Sequence, residues 1–177
     1  YTKAKNERKK QAKGNYITLL NNDTILRNQE KNQWINILKK PFLENDKVGV
    51  TGPLASRCPI INRKFLLFFC VMIEKNIFDE IGLLDEIFNP GFAEDMDFCI
   101  RAENKGYKLI QVPLDDINCR DFPIYHKAEG TVFDLKDWDK ITERNLQILF
   151  KKHGKKVYII TPTYKRYLKL RKTLDSI

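Results

Sequence analysis

The sequence predicts an α/β sandwich built on a mainly parallel sheet, and three observations carry that expectation. Short apolar runs of strand length, "YITLL" (Tyr16 to Leu20) and "VGVTG" (Val48 to Gly52), alternate with stretches whose apolar residues recur at helical spacing. The run "FLLFFCVMI" (Phe65 to Ile73) is apolar at both alternating sets of positions, as a strand covered on both faces must be. Finally, 177 residues with 42% hydrophobic content, eight glycines and seven prolines suffice for one ordinary core, without a repeat or a low-complexity tract.

Taken in order, Thr2 to Lys13 is helix-compatible and stops at Gly14. Tyr16 to Leu20 is a short buried strand that surfaces into Asn21, Asn22 and Asp23. "NQWINILKK" places Trp34, Ile35 and Leu38 at helical spacing, and Pro41 is expected to close that helix. Val48 to Gly52 is the next strand, and Pro53 to Arg63, with its prolines and little periodicity, reads as a loop. Phe65 to Ile73 is expected as one continuous strand. A short helix from Asn76 breaks near Gly82. A further helix begins near Glu94, runs to Lys105, stops at Gly106 and gives way to the strand "KLIQV". Acidic residues in its first turn and Lys105-Gly106 at its end suit the helix dipole and the usual stop chemistry. A last long helix spans about Asp139 to Lys152 and ends at Gly154. After it the pattern restarts in "KKVYIITPTYKRYLKLRKTLDSI", a fresh strand, turn and helix start.

The formal charge of +9 suits acidic partners such as nucleic acid, anionic lipid head groups or phosphorylated substrates, and equally a plain solvated basic face. The four cysteines form no CxxC pair and no metal-finger spacing. Cys70 and Cys99 fall in apolar patterns as small core residues, so reduced thiols are expected. The apolar run at Phe65 to Ile73 is about half the ~20 residues a membrane span needs.

Chemistry concentrates at three places. Asn21-Asn22-Asp23 stands where a buried strand surfaces, as a polar turn or as a metal-binding edge. In Glu94, Asp95 and Asp97, the last lies four residues before Arg101 and suits a surface ion pair. Asp95 shares the face of Phe98, Cys99 and Ala102, and either caps its helix or looks into a cleft. His126 in "IYH" is an ordinary hydrogen-bonded side chain or a ligand. In an open α/β sheet ligands bind beyond the strand C-termini, where Asp23 and His126 would offer O and N ligands to a divalent ion and Asp95 would be free to take a proton.

The ordered blocks "AKNERKKQAKGNYITLLNND", "FFCVMIEKNIFDEIGLLDEIF", "GFAEDMDFCIRAENKGYKLIQVP" and "IYH" resemble a family 2 glycosyltransferase of the GT-A fold, nearest the rhamnosyltransferase-like bacterial enzymes of surface polysaccharide synthesis. The resemblance covers Ala4 to about Thr131. It implies a GT-A-like three-layer sandwich. It also implies an inverting transfer of a sugar from a nucleotide-diphosphate donor to a glycan or lipid-linked acceptor, assisted by Mg2+ or Mn2+. By the same resemblance Asp95 is the general base and Glu94 its neighbour near the acceptor. Asn6, Asn21, Asn22 and Asp23 lie at the donor, with Asp23 and His126 on the metal. Lys5-Asn6 stands where the family commonly has Arg-Asn. Asn21 replaces the first aspartate of the family's metal motif, and Arg8 stands where a glycine is common.

The family's opening strand-turn-helix is like "IITPTYKR" near the C-terminus. The expected organisation is therefore residues 1–154 as the C-terminal part of one transferase domain, lacking its N-terminal nucleotide-binding half, and 155–177 as the start of a second. Such a piece is expected to show little activity alone. The reduced thiols point to a cytoplasmic setting, the basic charge leaves peripheral contact with anionic lipid on the inner face of the membrane open, and no nucleic acid partner is expected. The rival readings are a non-catalytic basic protein that binds nucleic acid or anionic membrane, and a glycosidase using two carboxylates such as Asp23 and Asp95.

Overall fold

A computed structural model describes residues 2–113, 119–127 and 136–155. The central sheet has four strands: β1 (Tyr16–Leu20), β3 (Val48–Gly52), β6 (Cys70–Glu74) and β7 (Lys108–Gln111), in the order β1-β6-β3-β7. The expectation of a mainly parallel sheet needs correction. The parallel pair is β3 with β7, while β6 runs antiparallel to both β1 and β3. The sheet is mixed, with one reversed strand set among three that share a direction.

Alternation along β6 shows why the sheet is covered on both sides. Val71 and Ile73 point to one face with Ile17, Leu19, Val50 and Leu109. There they meet α3 (Lys75–Ile81), α4 (Glu94–Asn104) and α5 (Trp138–His153) through Ile77, Phe98 and Leu149. Cys70 and Met72 point to the other face, against Leu38 of α2 (Gln33–Glu44) and against Phe122 and Ile124. Because the sheet is covered on both faces, a buried Val, Leu or Ile pointing either way contributes about 1.5–3 kcal/mol. Buried Thr51 donates its hydroxyl to the Leu38 carbonyl at 2.7 Å and so ties α2 to the sheet. Gly49 lets the sheet accept its cover: a β-carbon there would stand 2.7 Å from Ile77 Cδ1 and 2.8 Å from Tyr107 Cβ.

Two two-stranded ribbons flank this sheet. One joins β2 (Thr24–Leu26) to β8 (Ile124–His126), antiparallel, with Thr24 opposite His126. The other joins β4 (Ala55–Arg57) to β5 (Lys64–Leu66) and occupies part of the stretch expected as loop. Helix α1 (Thr2–Gln11) is fastened by buried Asn6, whose amide donates to the Leu84 carbonyl at 2.8 Å and accepts from the Leu84 N–H at 3.1 Å.

Three further expectations change. The run Phe65 to Ile73 is not one strand, because the chain leaves β5 at Leu66 and re-enters the sheet at Cys70. Pro41 does not close α2. It lacks the N–H for the Ile37 carbonyl, yet the helix continues to Glu44, and Asn45 then bonds back to the Pro41 carbonyl at 3.1 Å. Asp97 does pair with Arg101 at 2.8 Å, but the pair is not on the surface, since Asp97 is wholly buried. Lys152 at 2.8 Å and His153 at 2.7 Å, both from the end of α5, complete its surroundings. Buried Cys70 and Cys99 are free thiols, as are Cys58 and Cys119. Among the described residues no helix is long and apolar enough to cross a membrane. The restart expected at 155–177 lies outside the described residues apart from Lys155.

Candidate functional site

The polar triplet is the turn that carries the chain from β1 to β2. Asn21 starts it by donating its N–H to the Phe69 carbonyl at 2.8 Å, and its own carbonyl accepts the Thr24 hydroxyl at 2.7 Å. That geometry aims Asp23 inward and leaves Asn22 exposed. Pairing of β2 with β8 then sets His126 beside Asp23, with His126 Nε2 3.1 Å from Asp23 Oδ2. The imidazole lies flat on Phe69, centroids 4.5 Å apart and planes within 4°. Two anchors therefore fix its ring.

Glu94 and Asp95 open α4, where the positive end of the helix dipole favours carboxylates. Asp95 Oδ1 accepts the N–H of Met96 at 2.8 Å, and the Phe68 N–H also bonds to this carboxylate. The residue as a whole is half-buried, whereas its carboxylate sits deep; the depth of the carboxylate is what governs its proton affinity. Burial pushes the Asp95 carboxyl up to about 6, against the Met96 N–H and the Lys5 charge, which favour the ionised form. Burial and the Asp95 charge push Glu94 further, to about 7. Glu94 is 5% exposed and its Oε2 is buried without a hydrogen-bond partner among the described residues. Lys5 reaches the same region from α1 and donates to the Phe68 carbonyl at 2.8 Å. Burial lowers its ammonium to about 8, while the charges of Glu94, Asp95 and Asp23 hold it up.

The triplet turn, His126 and the start of α4 meet at one cleft of about 250 Å³, bordered by Asn21, Asp23, His126, Glu94 and Asp95 on its polar side and by Phe92 and Trp138 on its aromatic side. The cleft brings together five of the residues that the sequence singled out. Asn22 and Asn6 are not among those bordering it. The amide of Asn6 is spent on Leu84 and on Glu86 Oε1 at 3.0 Å, so the structure gives it the work of docking α1 onto the chain before α4. A larger hollow of about 560 Å³ between α2 and β7 is bordered mostly by apolar residues, with Lys40 and Glu44 from one helix its charged members. It brings no opposed titratable groups together, so the smaller cleft is the candidate site.

Among the described residues no three His, Cys, Asp or Glu side chains gather closely enough to cage an ion by themselves. Asp23 and His126 nonetheless fit a divalent ion that takes its other ligands from phosphate and water. Asp23 Oδ1 is buried with no hydrogen-bond partner among the described residues. The 3.1 Å between Asp23 Oδ2 and His126 Nε2 is close to the ~3.0 Å edge of an octahedron with ~2.1 Å bonds.

Lys5, paired with Asn6 in the sequence resemblance, feels the charges of Glu94, Asp95 and Asp23 without bordering the cleft, whereas sequence reasoning missed Asn145. Wholly buried on α5, Asn145 Nδ2 lies 3.0, 2.9 and 3.0 Å from the carbonyl oxygens of Phe88, Gly91 and Phe92, the segment that leads into α4. A polar residue that follows Glu143 and Arg144 on a helix gives no sign of that role. No family model matches this chain, and no curated protein matches it.

Proposed function

We propose that this chain carries the metal and base side of an inverting glycosyltransferase site of the GT-A, family 2 kind, acting on a nucleotide-diphosphate sugar. One observation supports this reading above the others: Asp23, His126 and the Glu94–Asp95 pair, far apart in sequence, border a single cleft. When bound by Asp23 and His126, Mg2+ or Mn2+ would supply Lewis-acid neutralisation of the leaving diphosphate.

The remaining work falls to the chain's own side chains. Asp95, at about 6, is ionised at neutral pH yet far more basic than an ordinary aspartate, as a general base needs. Its Oδ2 would take the acceptor hydroxyl proton as that oxygen attacks the anomeric carbon. The bond to the diphosphate breaks on the opposite face, and configuration inverts. Glu94, near 7, is partly protonated at neutral pH and would hold the same hydroxyl by a hydrogen bond. Lys5 would help to hold Phe68 by its carbonyl, and the Phe68 N–H would steady Asp95.

Calorimetry tests the reading. UDP, GDP and dTDP share one diphosphate, and at least one should bind with Mn2+ and not with EDTA. Asp23→Ala should remove that binding. Metal-independent, salt-sensitive binding of duplex DNA in its place would favour the basic-protein alternative. Absence of diphosphate binding with every base would defeat the transferase reading.

A further inference from the structure

The aromatic side of the cleft is built with more effort than packing requires. Phe92 and Trp138 meet edge to face, centroids 6.0 Å apart at 85°, and both remain half-buried at the cleft. Phe92 has φ +76° and Ala93 φ +75°, the left-handed region that residues with a β-carbon rarely adopt. Strain of this sort persists only where the surroundings enforce it.

Here the enforcement comes from α5. Asn145 grips the carbonyls of Phe88, Gly91 and Phe92, and Arg144 adds bonds to the Ile87 and Asn89 carbonyls at 2.7 and 3.2 Å. Trp138 lies seven residues before Asn145 on the same helix, hence on the same side two turns away. A single helix therefore supplies both the indole and the clasp that turns Phe92 toward it. Across the cleft stand Asp95 and the buried Oε2 of Glu94, which has no hydrogen-bond partner among the described residues.

Such a corner has two chemical demands. Two ring surfaces at right angles ask for a rigid apolar face, and the opposing carboxylates ask for hydroxyl donors. A pyranose ring meets both, with a C–H face on one side and hydroxyls around its rim. An alkyl chain would leave Glu94 Oε2 unpartnered, and a phosphate would be repelled by both carboxylates.

We propose that the Phe92–Trp138 corner is a platform for a pyranose ring, held by stacking and presented with a hydroxyl toward Asp95 and Glu94. Naming this ring as the acceptor rests on the transferase reading; the stacking does not.

The test uses the whole chain with Trp34→Phe, which leaves Trp138 as the sole tryptophan. Its fluorescence is titrated with methyl β-D-glucopyranoside, methyl α-D-mannopyranoside and methyl α-L-rhamnopyranoside, in EDTA and without nucleotide, with sorbitol as the open-chain control. A saturable change with at least one pyranoside and none with sorbitol is expected. Phe92→Leu should weaken that sugar about tenfold. The second arm is saturation-transfer NMR on the same sugars with Trp138→Ala, which keeps the clasp and removes the indole, and whose signal should be lost. The proposal is overturned if no pyranoside gives a saturable change, or if the sugar signal survives Trp138→Ala. Sugar binding without any Mn2+-dependent diphosphate binding would keep the platform and sink the transferase reading. Diphosphate binding without sugar would do the reverse.

Discussion

Replacing Glu94 with glutamine separates a carboxylate retained for chemistry from one retained for stability. Burial, reinforced by the charge of Asp95, raises the Glu94 carboxyl from an ordinary 4.5 to about 7. Between those values the folded chain holds a proton that the unfolded chain releases, so the stability from this group is full below pH 4.5 and lost as pH rises through 7. The gap corresponds to at most about 3 kcal/mol. Part of it is the charge of Asp95, which titrates in the same range, so we expect roughly 2 kcal/mol for Glu94 itself. Glutamine keeps the shape and never ionises. Glu94→Gln should therefore be more stable than the parent by roughly 2 kcal/mol at pH 8 and nearly equal to it at pH 4. Urea unfolding in EDTA at pH 4, 6 and 8 reads this directly. An equal gain at pH 4 and pH 8, or a loss at pH 8, would refute the assignment of strain to the buried carboxylate.

Three other substitutions probe the scaffold. Asp97→Ala strips the buried partner from Arg101 and His153, and urea midpoints should show a loss of about 3 kcal/mol. Asn145→Ala leaves the carbonyls of Phe88, Gly91 and Phe92 without their donor. A loss of about 3 kcal/mol, with a changed near-UV signal from Trp138, is expected there. Gly49→Ala forces a methyl group against Ile77 and Tyr107 and should cost about 1–3 kcal/mol, read as a lowered Tm with unchanged far-UV circular dichroism.

Much of the fold is legible where a periodic pattern and a stop signal coincide. Tyr16–Leu20 and Val48–Gly52 are strands over their expected residues, and α4 ends before Gly106, whose φ of +91° suits only glycine. The run at Phe65 divides between β5 and β6 although it is apolar at every position, because such a pattern reports burial and not continuity or direction. Phe68 and Phe69 are buried too, but in the turn that lines the cleft. The reversal of β6 escaped notice for a related reason, since a strand buried on both faces has the same composition whichever way it runs. Ribbon strand β2 has a largely exposed pattern, with Ile25 and Leu26 facing solvent, so only its pairing with β8 defines it. At the site, Asp23, Glu94, Asp95 and His126 were legible as chemistry-bearing types placed at element ends. For Asp97, four-residue spacing to Arg101 reveals the pair but not the end of α5 folded over it, so the sequence pattern alone suits a surface pair.

That Asp23, His126 and the Glu94–Asp95 pair serve one ligand is tested most directly by paramagnetic broadening. Mn2+ with pyrophosphate would be titrated into 15N-labelled protein. Amide signals of Asp23, Asp95, Met96 and His126 should fade together at low metal, while those of the Asn6–Leu84 contact and of the α2–β7 hollow keep their intensity. Broadening that begins elsewhere, or that reaches Asp23 and leaves Asp95 sharp, would contradict a shared site.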